Sequence, residues 1–251
     1  MIPTSRLRDI GDTCGAVAPI IGAAVLTALF VTTFALHRSG SYRPTAEDGL
    51  PVRQAPAREL FRPGLVAVAV GVLGMGLFFG SMLTALTSFL SDFGHPEQAG
   101  LVYGVMGVGS AALALGVAWF PLRFALRWRW VTFAGVLAAS TAALPFATTV
   151  PAAMVLVLLI AGFGVGPTLV TQYSFGAERS PLGRSATVMT ILGSAVIVGQ
   201  SASSALVGML AQSAGTHAAM FAPIASALIV LAAGLANVII TRRRHRRSTV
   251  R

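Results

Sequence analysis

The residues in this sequence that could do chemistry are mostly uncharged hydrogen-bonding side chains inside long apolar stretches. They form three groups: Thr84 and Ser88; Thr168, Thr171, Gln172 and Tyr173; and Gln200. Such groups can bind a small molecule through hydrogen bonds, and Tyr173 adds a ring for stacking. A single hydroxyl more often bonds to a carbonyl of its own helix. A glutamine amide has four bonding positions, so Gln172 and Gln200 need a partner or water.

Three charged residues follow the second of these groups. Glu178, Arg179 and Arg184 lie between residues 130–177 and 185–241, two segments without any Asp, Glu, Lys or Arg. One interpretation is that the three charges solvate a loop and orient the neighbouring helices. The other is a cytoplasmic gate in which Glu178 pairs with an arginine. We favour the first, and Tyr173 could equally be an anchor at the membrane surface.

Several kinds of functional centre lack the residues that they need. The chain contains no Lys, which excludes a retinal Schiff base, and no Gly-x-x-x-x-Gly-Lys motif for ATP. All four histidines lie at the ends of apolar stretches or between them, at His37, His95, His217 and His245. Neither a Ser-His-Asp set nor paired intramembrane carboxylates are present. We therefore expect no cofactor, no metal and no enzyme activity.

The composition indicates that these residues are held by elements inside a lipid bilayer. Of 251 residues, 55% are hydrophobic and 10% are charged, with a mean hydropathy of +0.78, whereas soluble domains carry about 25% charged residues. The net charge of +10 could suggest nucleic acid, particularly in the aromatic and basic segment AWFPLRFALRWRW. Because the arginines cluster between apolar stretches, we interpret this segment as an interfacial belt and expect no nucleic-acid partner.

Seven apolar stretches are long enough, or nearly so, to cross the ~30 Å hydrocarbon core as helices. They cover residues 15–36, 64–90, 99–121, 130–147, 150–174, 185–211 and 217–240. Helices are favoured over barrel strands because the stretches are continuously apolar rather than alternating. The segment PLRFALRWRW is expected to form a turn between the third and fourth spans. The pairs Gly76/Gly80, Gly100/Gly104 and Gly162/Gly166 predict close approach of helices.

The distribution of arginine predicts the orientation of these spans. Sixteen of the 18 basic residues follow the first, third, fifth and seventh spans, and only Arg6 and Arg8 lie elsewhere. Since cytoplasmic loops carry the excess of Arg and Lys, the C-terminus is predicted in the cytoplasm and the N-terminus outside. The final RRRHRR is typical of a stop beside the membrane and of contact with anionic lipid.

Two segments carry a resemblance to a known family. One is GFGVGPTLVTQYSFGAERSP, and the other is GRSATVMTILGSAVIVGQSASSALVG. Together with the order of basic linker, six helices and basic tail, residues 58–245 resemble the C-terminal half of a major facilitator superfamily transporter, especially bacterial drug- and sugar-efflux permeases. The expected fold is an all-α membrane protein of about seven transmembrane helices, whose last six form two inverted three-helix repeats.

The resemblance also implies a division of the chain. Residues 1–36 would hold the last helix of a missing N-terminal half, 37–63 the basic cytoplasmic linker, 64–241 the six-helix half and 242–251 the cytoplasmic tail. The chain would then be a truncated gene model, part of a split transporter or a remnant. No acidic residue lies deep in a span, so a proton-coupling carboxylate would have to belong to the other half.

The family pattern implies a function for the polar residues as well. The first helix of each triplet would line a central cavity, which places the second and fifth spans around a small-molecule substrate. The second helix of each triplet would pack on the opposite half, and the third would face lipid. The expected activity is secondary, alternating-access efflux of a drug or sugar at the cell membrane. The alternative is a membrane interaction or scaffold protein that keeps the half-fold without transport.

Overall fold

The structure is a computed structural model that describes residues 54–116, 125–147 and 151–248, with six helical positions between residues 24 and 33. The chain divides into two compact units, Met1–Val52 and Arg53–Arg251. Most of the first predicted span (15–36) and of the predicted linker (37–63) lies outside the described residues, as does the segment 117–124. The fold and the candidate site described below belong to the second unit.

Six long helices make up the second unit. They are α1 (Pro63–Asp92), α2 (Ala99–Gly116), α3 (Leu126–Ala147), α4 (Pro151–Glu178), α5 (Ser185–Ala214) and α6 (Ala222–Ser248). Short helical turns at Ala57–Phe61, Pro96–Gln98 and Thr216–Ala219 lie before or between them. Each of the six is long and apolar enough to cross a membrane. The described residues contain no strand, and the predicted all-α membrane fold is confirmed.

Two helix ends differ from the prediction. α3 begins at Leu126, so Arg127, Trp128 and Arg129 belong to its first turn and not to an interfacial loop. α6 does not end at residue 240 but continues through RRRHRR to Ser248. The apolar pattern marks only where a chain leaves the hydrocarbon, and arginine is a good helix former, so the backbone ladder continues into the polar region.

The packing of the helices follows a two-fold pattern. α1 packs chiefly on α5 and α6, and α4 packs chiefly on α2 and α3. Helices α1–α3 form the first triplet and α4–α6 the second. In each case the first helix of one triplet contacts the second and third helices of the other. α3 and α6, the third helices, also pack on each other. This exchange of partners is what two inverted three-helix repeats produce.

Glycines allow the closest contacts of this pattern. A Cβ added at Gly76 or Gly80 in α1 would overlap carbonyl oxygens of α5. A Cβ added at Gly162 or Gly166 in α4 would overlap carbonyl oxygens of α2. Two of the three predicted Gly-x-x-x-Gly contacts are therefore present, and each lies on the first helix of one triplet.

The third predicted glycine contact is not made among the described residues. Within the described residues, nothing lies within 4 Å of a Cβ added at Gly100 or Gly104. α2 instead approaches α4 through Gly109, where an added Cβ would overlap the carbonyl oxygen of Leu159. The spacing of small residues shows that a helix has a smooth face, but the position of its neighbours decides which face is used.

The charged residues separate the two ends of the bundle. At one end, the Arg179 guanidinium bonds to the start of α1 and the Arg242 guanidinium lies over the Trp128 ring of α3. We call this the basic end. At the far end, Thr216 Oγ1 donates a hydrogen bond of 2.6 Å to Asp92 Oδ2. The loops at the far end contain Glu97 and no arginine among the described residues, so the structure reproduces the charge asymmetry predicted from the sequence.

Candidate functional site

α1 keeps one stripe uncovered by its neighbours, and two predicted cavity residues lie on it. Thr84 and Ser88 are both half-buried. Between them, Thr87 is exposed, and its Oγ1 donates to the carbonyl oxygen of Leu83 at 2.8 Å. These hydroxyls lie towards the far end of α1. A small molecule in contact with this stripe would meet oxygen atoms that can both donate and accept hydrogen bonds.

α4, the counterpart of α1 in the repeat, has a similar uncovered stripe. Tyr173 and Ser174 are half-buried there, and Ser174 Oγ donates to the carbonyl oxygen of Val170 at 2.8 Å. Because the two helices run in opposite directions, the polar part of this stripe lies towards the basic end. We call the two surfaces together the open stripes. They offer hydroxyl groups at two depths of the bundle and one aromatic ring.

The other three predicted cavity residues of α4 point into the bundle. Thr168, Thr171 and Gln172 are fully buried. Thr171 Oγ1 donates to the carbonyl oxygen of Pro167 at 2.7 Å. Thr168 Oγ1 and both polar atoms of the Gln172 amide have no hydrogen-bond partner within the described residues. A buried polar group without a partner costs about 1–3 kcal/mol, so these atoms are energetically significant.

Trp130 completes this buried region, and the sequence prediction placed it wrongly in the interfacial belt. Its side chain is fully buried, and a Cβ added at Gly71 of α1 or Gly234 of α6 would contact the indole ring. The Phe175 ring of α4 lies 6.1 Å from it, between ring centroids. The indole is therefore a wedge that joins the start of α3 to three other helices. Its neighbour Trp128, by contrast, is 42% exposed.

Gln172 lies beside this wedge. A Cβ added at Gly71 would meet both the Trp130 ring and Gln172 Nε2. Like the amide, Trp130 Nε1 is buried without a partner in the described part of the chain. We call Thr168, Gln172 and Trp130 the buried polar cluster. The only signal for Trp130 in the sequence is its spacing from Ala134 and Leu137, which places the three on one buried helical face.

Gln200 is separated from the other candidate residues. It lies on α5, where its side chain is exposed. Its backbone carbonyl is the atom against which Gly80 of α1 packs. The structure therefore divides the predicted cavity set into three: hydroxyls and a ring on the open stripes, a buried polar cluster within the bundle, and an exposed amide on α5.

Arg179 is the most connected of the three predicted gate residues. Its Nη1 donates to the carbonyl oxygen of Gly64 at 2.7 Å and to Asn237 Oδ1 at 2.6 Å. Its Nη2 donates to Thr241 Oγ1 at 3.3 Å. The guanidinium carbon also lies 4.5 Å from the centroid of the Phe175 ring. Arg179 thus joins the end of α4 to the start of α1 and the last turns of α6.

The other two gate residues lie in different surroundings. Arg184 Nε donates to the carbonyl oxygen of Ala55, and the Ala55 amide donates to the carbonyl oxygen of Leu182 at 3.0 Å. Glu178 is exposed, and no ion pair involves it among the described residues. Glu59, the other acid described at this end, forms an ion pair of 3.0 Å with Arg62. The predicted gate stays a prediction.

Two cavities open near the basic end. A polar cavity of about 210 Å³ contains Glu178 and Arg179 together with Arg62 at the start of α1. An apolar groove of about 350 Å³ runs between α1 and α5, with Leu65 and Ile191 among its walls. No three His, Cys, Asp or Glu side chains in the described ranges come together as metal ligands. The chemistry available at this site is hydrogen bonding, ring stacking and ion pairing.

Comparison with known proteins identifies the family. A family model described as Major Facilitator Superfamily matches residues 14–196, which is more than half of the chain. The match starts near the beginning of the first predicted span and ends within α5. No curated protein and no solved structure matches the chain. Members of this superfamily are membrane transporters, and the six apolar helices packed as two inverted triplets agree with that assignment. The chain belongs to the Major Facilitator Superfamily.

Proposed function

We propose that the chain works in secondary, alternating-access transport and exports a small molecule such as a drug or a sugar. The observation that carries this proposal is the pair of open stripes. The first helix of each triplet leaves a polar surface uncovered, at Thr84 and Ser88 on α1 and at Tyr173 on α4. Sites between inverted repeats lie near the midplane in many transporters, and these residues offer hydrogen bonds and stacking to such a substrate.

The basic end supports motion of the six-helix unit as one body. Arg179 joins α1, α4 and α6 through three hydrogen bonds, and Trp130 lies against glycines of α1 and α6. Alternating access by rocking requires that each half moves without changing its own packing. In this proposal Arg179 fixes the unit internally. Glu178 and Arg184 remain available for a gate with another half.

A second six-helix unit is part of the proposal. α2 and α5, the second helices of the triplets, are the least covered of the six. Large exposed apolar side chains on them include Leu101, Val108, Ile197 and Leu206. We propose that these helices pack on another half, in the same or a separate chain, and that the protein lies in the cell membrane with its basic end in the cytoplasm.

Substitutions on the open stripes test the proposal. Cells express the chain alone or together with a six-helix protein encoded by a neighbouring gene. They are scored for efflux of a panel of dyes, antibiotics and labelled sugars. Thr84→Val and Tyr173→Ala should lower efflux at least about tenfold, because loss of one hydrogen bond to a bound substrate costs roughly 1.5 kcal/mol or more. Thr132→Val, an exposed position on α3, is the matched control. Equal efflux by all three variants would refute the role of the stripes.

The buried polar cluster favours a second candidate function. Two of its members, Thr168 and Gln172, lie with Thr171 inside the bundle and not on the open stripes, as expected of a scaffold protein that kept the half-fold without transport. The substitution Gln172→Leu distinguishes the transport function from the scaffold function. Folding should be intact, because an apolar group replaces unpaired polar atoms. Loss of efflux would support transport through this region, whereas a chain that exports no compound in any combination would support the scaffold.

A further inference from the structure

The basic end has a second charged surface, on the side of α3 and α6. These two helices pack on each other, and the start of α3 lies beside the end of α6. The Arg242 guanidinium carbon lies 5.5 Å from the centroid of the Trp128 ring. Trp128 is 42% exposed, and Arg242 is exposed as well. An indole and a guanidinium are therefore held together at the membrane surface.

The charge on this surface has one sign. α3 and α6 carry seven arginines: Arg127, Arg129, Arg242, Arg243, Arg244, Arg246 and Arg247. Neither helix contains an Asp or Glu. The acids described at the basic end, Glu59 and Glu178, belong to the segment before α1 and to α4. Unlike the mixed-charge cavity at Glu178 and Arg179, this surface is complementary to an anion.

An exposed apolar surface continues directly from these charges. Leu235 is 47% exposed and Ile239 is 52% exposed. With Arg242 they follow the spacing i, i+4 and i+7, which places all three on one face of α6. The face changes from apolar to basic at the level of Trp128. An apolar surface followed by a basic one matches a ligand that has both a hydrocarbon chain and an anionic head.

The last turns of α6 are held in place by neighbouring helices. Asn237 and Thr241 accept hydrogen bonds from Arg179 at 2.6 and 3.3 Å, and Trp130 of α3 lies against Gly234. Since the helix continues without a break past Arg242 to Ser248, Arg242 extends from a fixed base. A site on this face is therefore preorganised, and less entropy is lost when a ligand binds.

We propose that α3 and α6 form a binding site for one anionic phospholipid. The lipid phosphate binds at Arg242, the glycerol region contacts Trp128, and one acyl chain lies along Leu235 and Ile239. Arg127 adds positive charge from α3, and its Nε is buried without a partner among the described residues. Basic clusters at the cytoplasmic end of membrane helices attract anionic lipids. An RNA would use the arginines but not the apolar half of the face.

The test counts lipids bound to the purified full chain. In detergent, native mass spectrometry compares binding of phosphatidylglycerol and phosphatidylcholine with identical acyl chains. We expect tight binding of one phosphatidylglycerol and weak binding of phosphatidylcholine. The Arg242→Gln variant should lose about fivefold in affinity. Arg58→Gln, which changes the same charge at the same end of the bundle, should lose less than twofold.

Two further measurements show whether the bound phosphate belongs to a lipid and keep the test valid if the arginine variant misfolds. Leu235→Gln/Ile239→Gln keeps the net charge and should also weaken phosphatidylglycerol binding, whereas soluble glycerol 3-phosphate should not compete with the lipid. Trp128→Leu should weaken binding even if the arginine variant fails to fold, as judged by size-exclusion chromatography. Equal loss in both arginine variants, equal binding of the two lipids, or tighter binding of a labelled RNA than of lipid would overturn the proposal.

Discussion

At the scale of single residues, Arg179 has the greatest structural consequence. One guanidinium, just after the end of α4, donates hydrogen bonds to the start of α1 and to Asn237 and Thr241 of α6. Its planar group can make several hydrogen bonds at fixed angles, which lysine cannot reproduce. The sequence singled out Arg179 for its isolation between uncharged segments. It did not indicate that its partners would be a backbone carbonyl, an amide and a hydroxyl in place of Glu178.

We predict that Arg179→Gln destabilises the basic end. Loss of charge-assisted hydrogen bonds costs about 1.5–3 kcal/mol each when the partners stay buried, less where water replaces them, so we expect a total of about 2–4 kcal/mol. The measurement is the midpoint of unfolding in mixed detergent. Arg58→Gln removes an exposed arginine and should change the free energy of unfolding by less than about 0.5 kcal/mol. Similar midpoints for both variants would contradict the assigned role of Arg179.

Gly71 and Trp130 give a second prediction at this scale. A Cβ at Gly71 would overlap the six-membered ring of the indole, so Gly71→Ala should cost about 1–3 kcal/mol by overpacking. Trp130→Phe removes ring volume and should relieve that overlap. The double variant should therefore be more stable than the sum of the two single effects allows. Unfolding midpoints of the four proteins in the cycle measure this coupling, and strictly additive effects would show that the two side chains do not meet.

At the scale of helices, the bundle depends on two glycine contacts related by the repeat. α1 meets α5 at Gly76 and Gly80, and α4 meets α2 at Gly162 and Gly166. Lipid chains are as apolar as the helix surfaces, so burial of apolar area gives little driving force between helices in a bilayer. Close van der Waals contact between backbones supplies it instead. The same residue type at Gly100 and Gly104 makes no such contact within the described residues.

A matched series of valine substitutions tests this difference. Gly76→Val and Gly162→Val should each separate a pair of helices and cost about 1–3 kcal/mol or more. No described residue lies near a Cβ at Gly104, so Gly104→Val should leave the unfolding midpoint unchanged or raise it slightly, because valine is a better helix former than glycine. If Gly104→Val is as damaging as the other two, α2 has a close neighbour on that face. We would then identify that neighbour as the second six-helix half of the proposal.

At the scale of the whole molecule, the charges predict which end faces the cytoplasm. In a Cys14→Ser background, single cysteines at His95 and Leu182 report on the far end and on the basic end. Both positions are exposed. Because arginine is retained on the cytoplasmic side, a maleimide that cannot cross membranes should label His95→Cys in intact cells. Leu182→Cys should react only after permeabilisation, and the reverse pattern would show that the orientation is inverted.

The sequence predicted the fold more completely than the site. Each of the six spans of the described unit was found within several residues of its ends, because hydropathy is a local property of the chain. The site residues were chosen for polarity alone. Thr84 and Thr168 looked equivalent in sequence, yet one lies on an open stripe and the other is fully buried. Trp128 and Trp130 differ in the same way, two positions apart on one helix.

The sequence by itself determined that this chain has helices that can cross a membrane, that its arginines gather at one end, and that it resembles a transporter half. These properties follow from composition along the chain and from the cost of charge in a bilayer. The tertiary structure decided which side chains are buried and which are open. That choice depends on the rotation of each helix about its axis and on the identity of its neighbours, and both are set by long-range packing such as that of Gly71, Trp130 and Arg179.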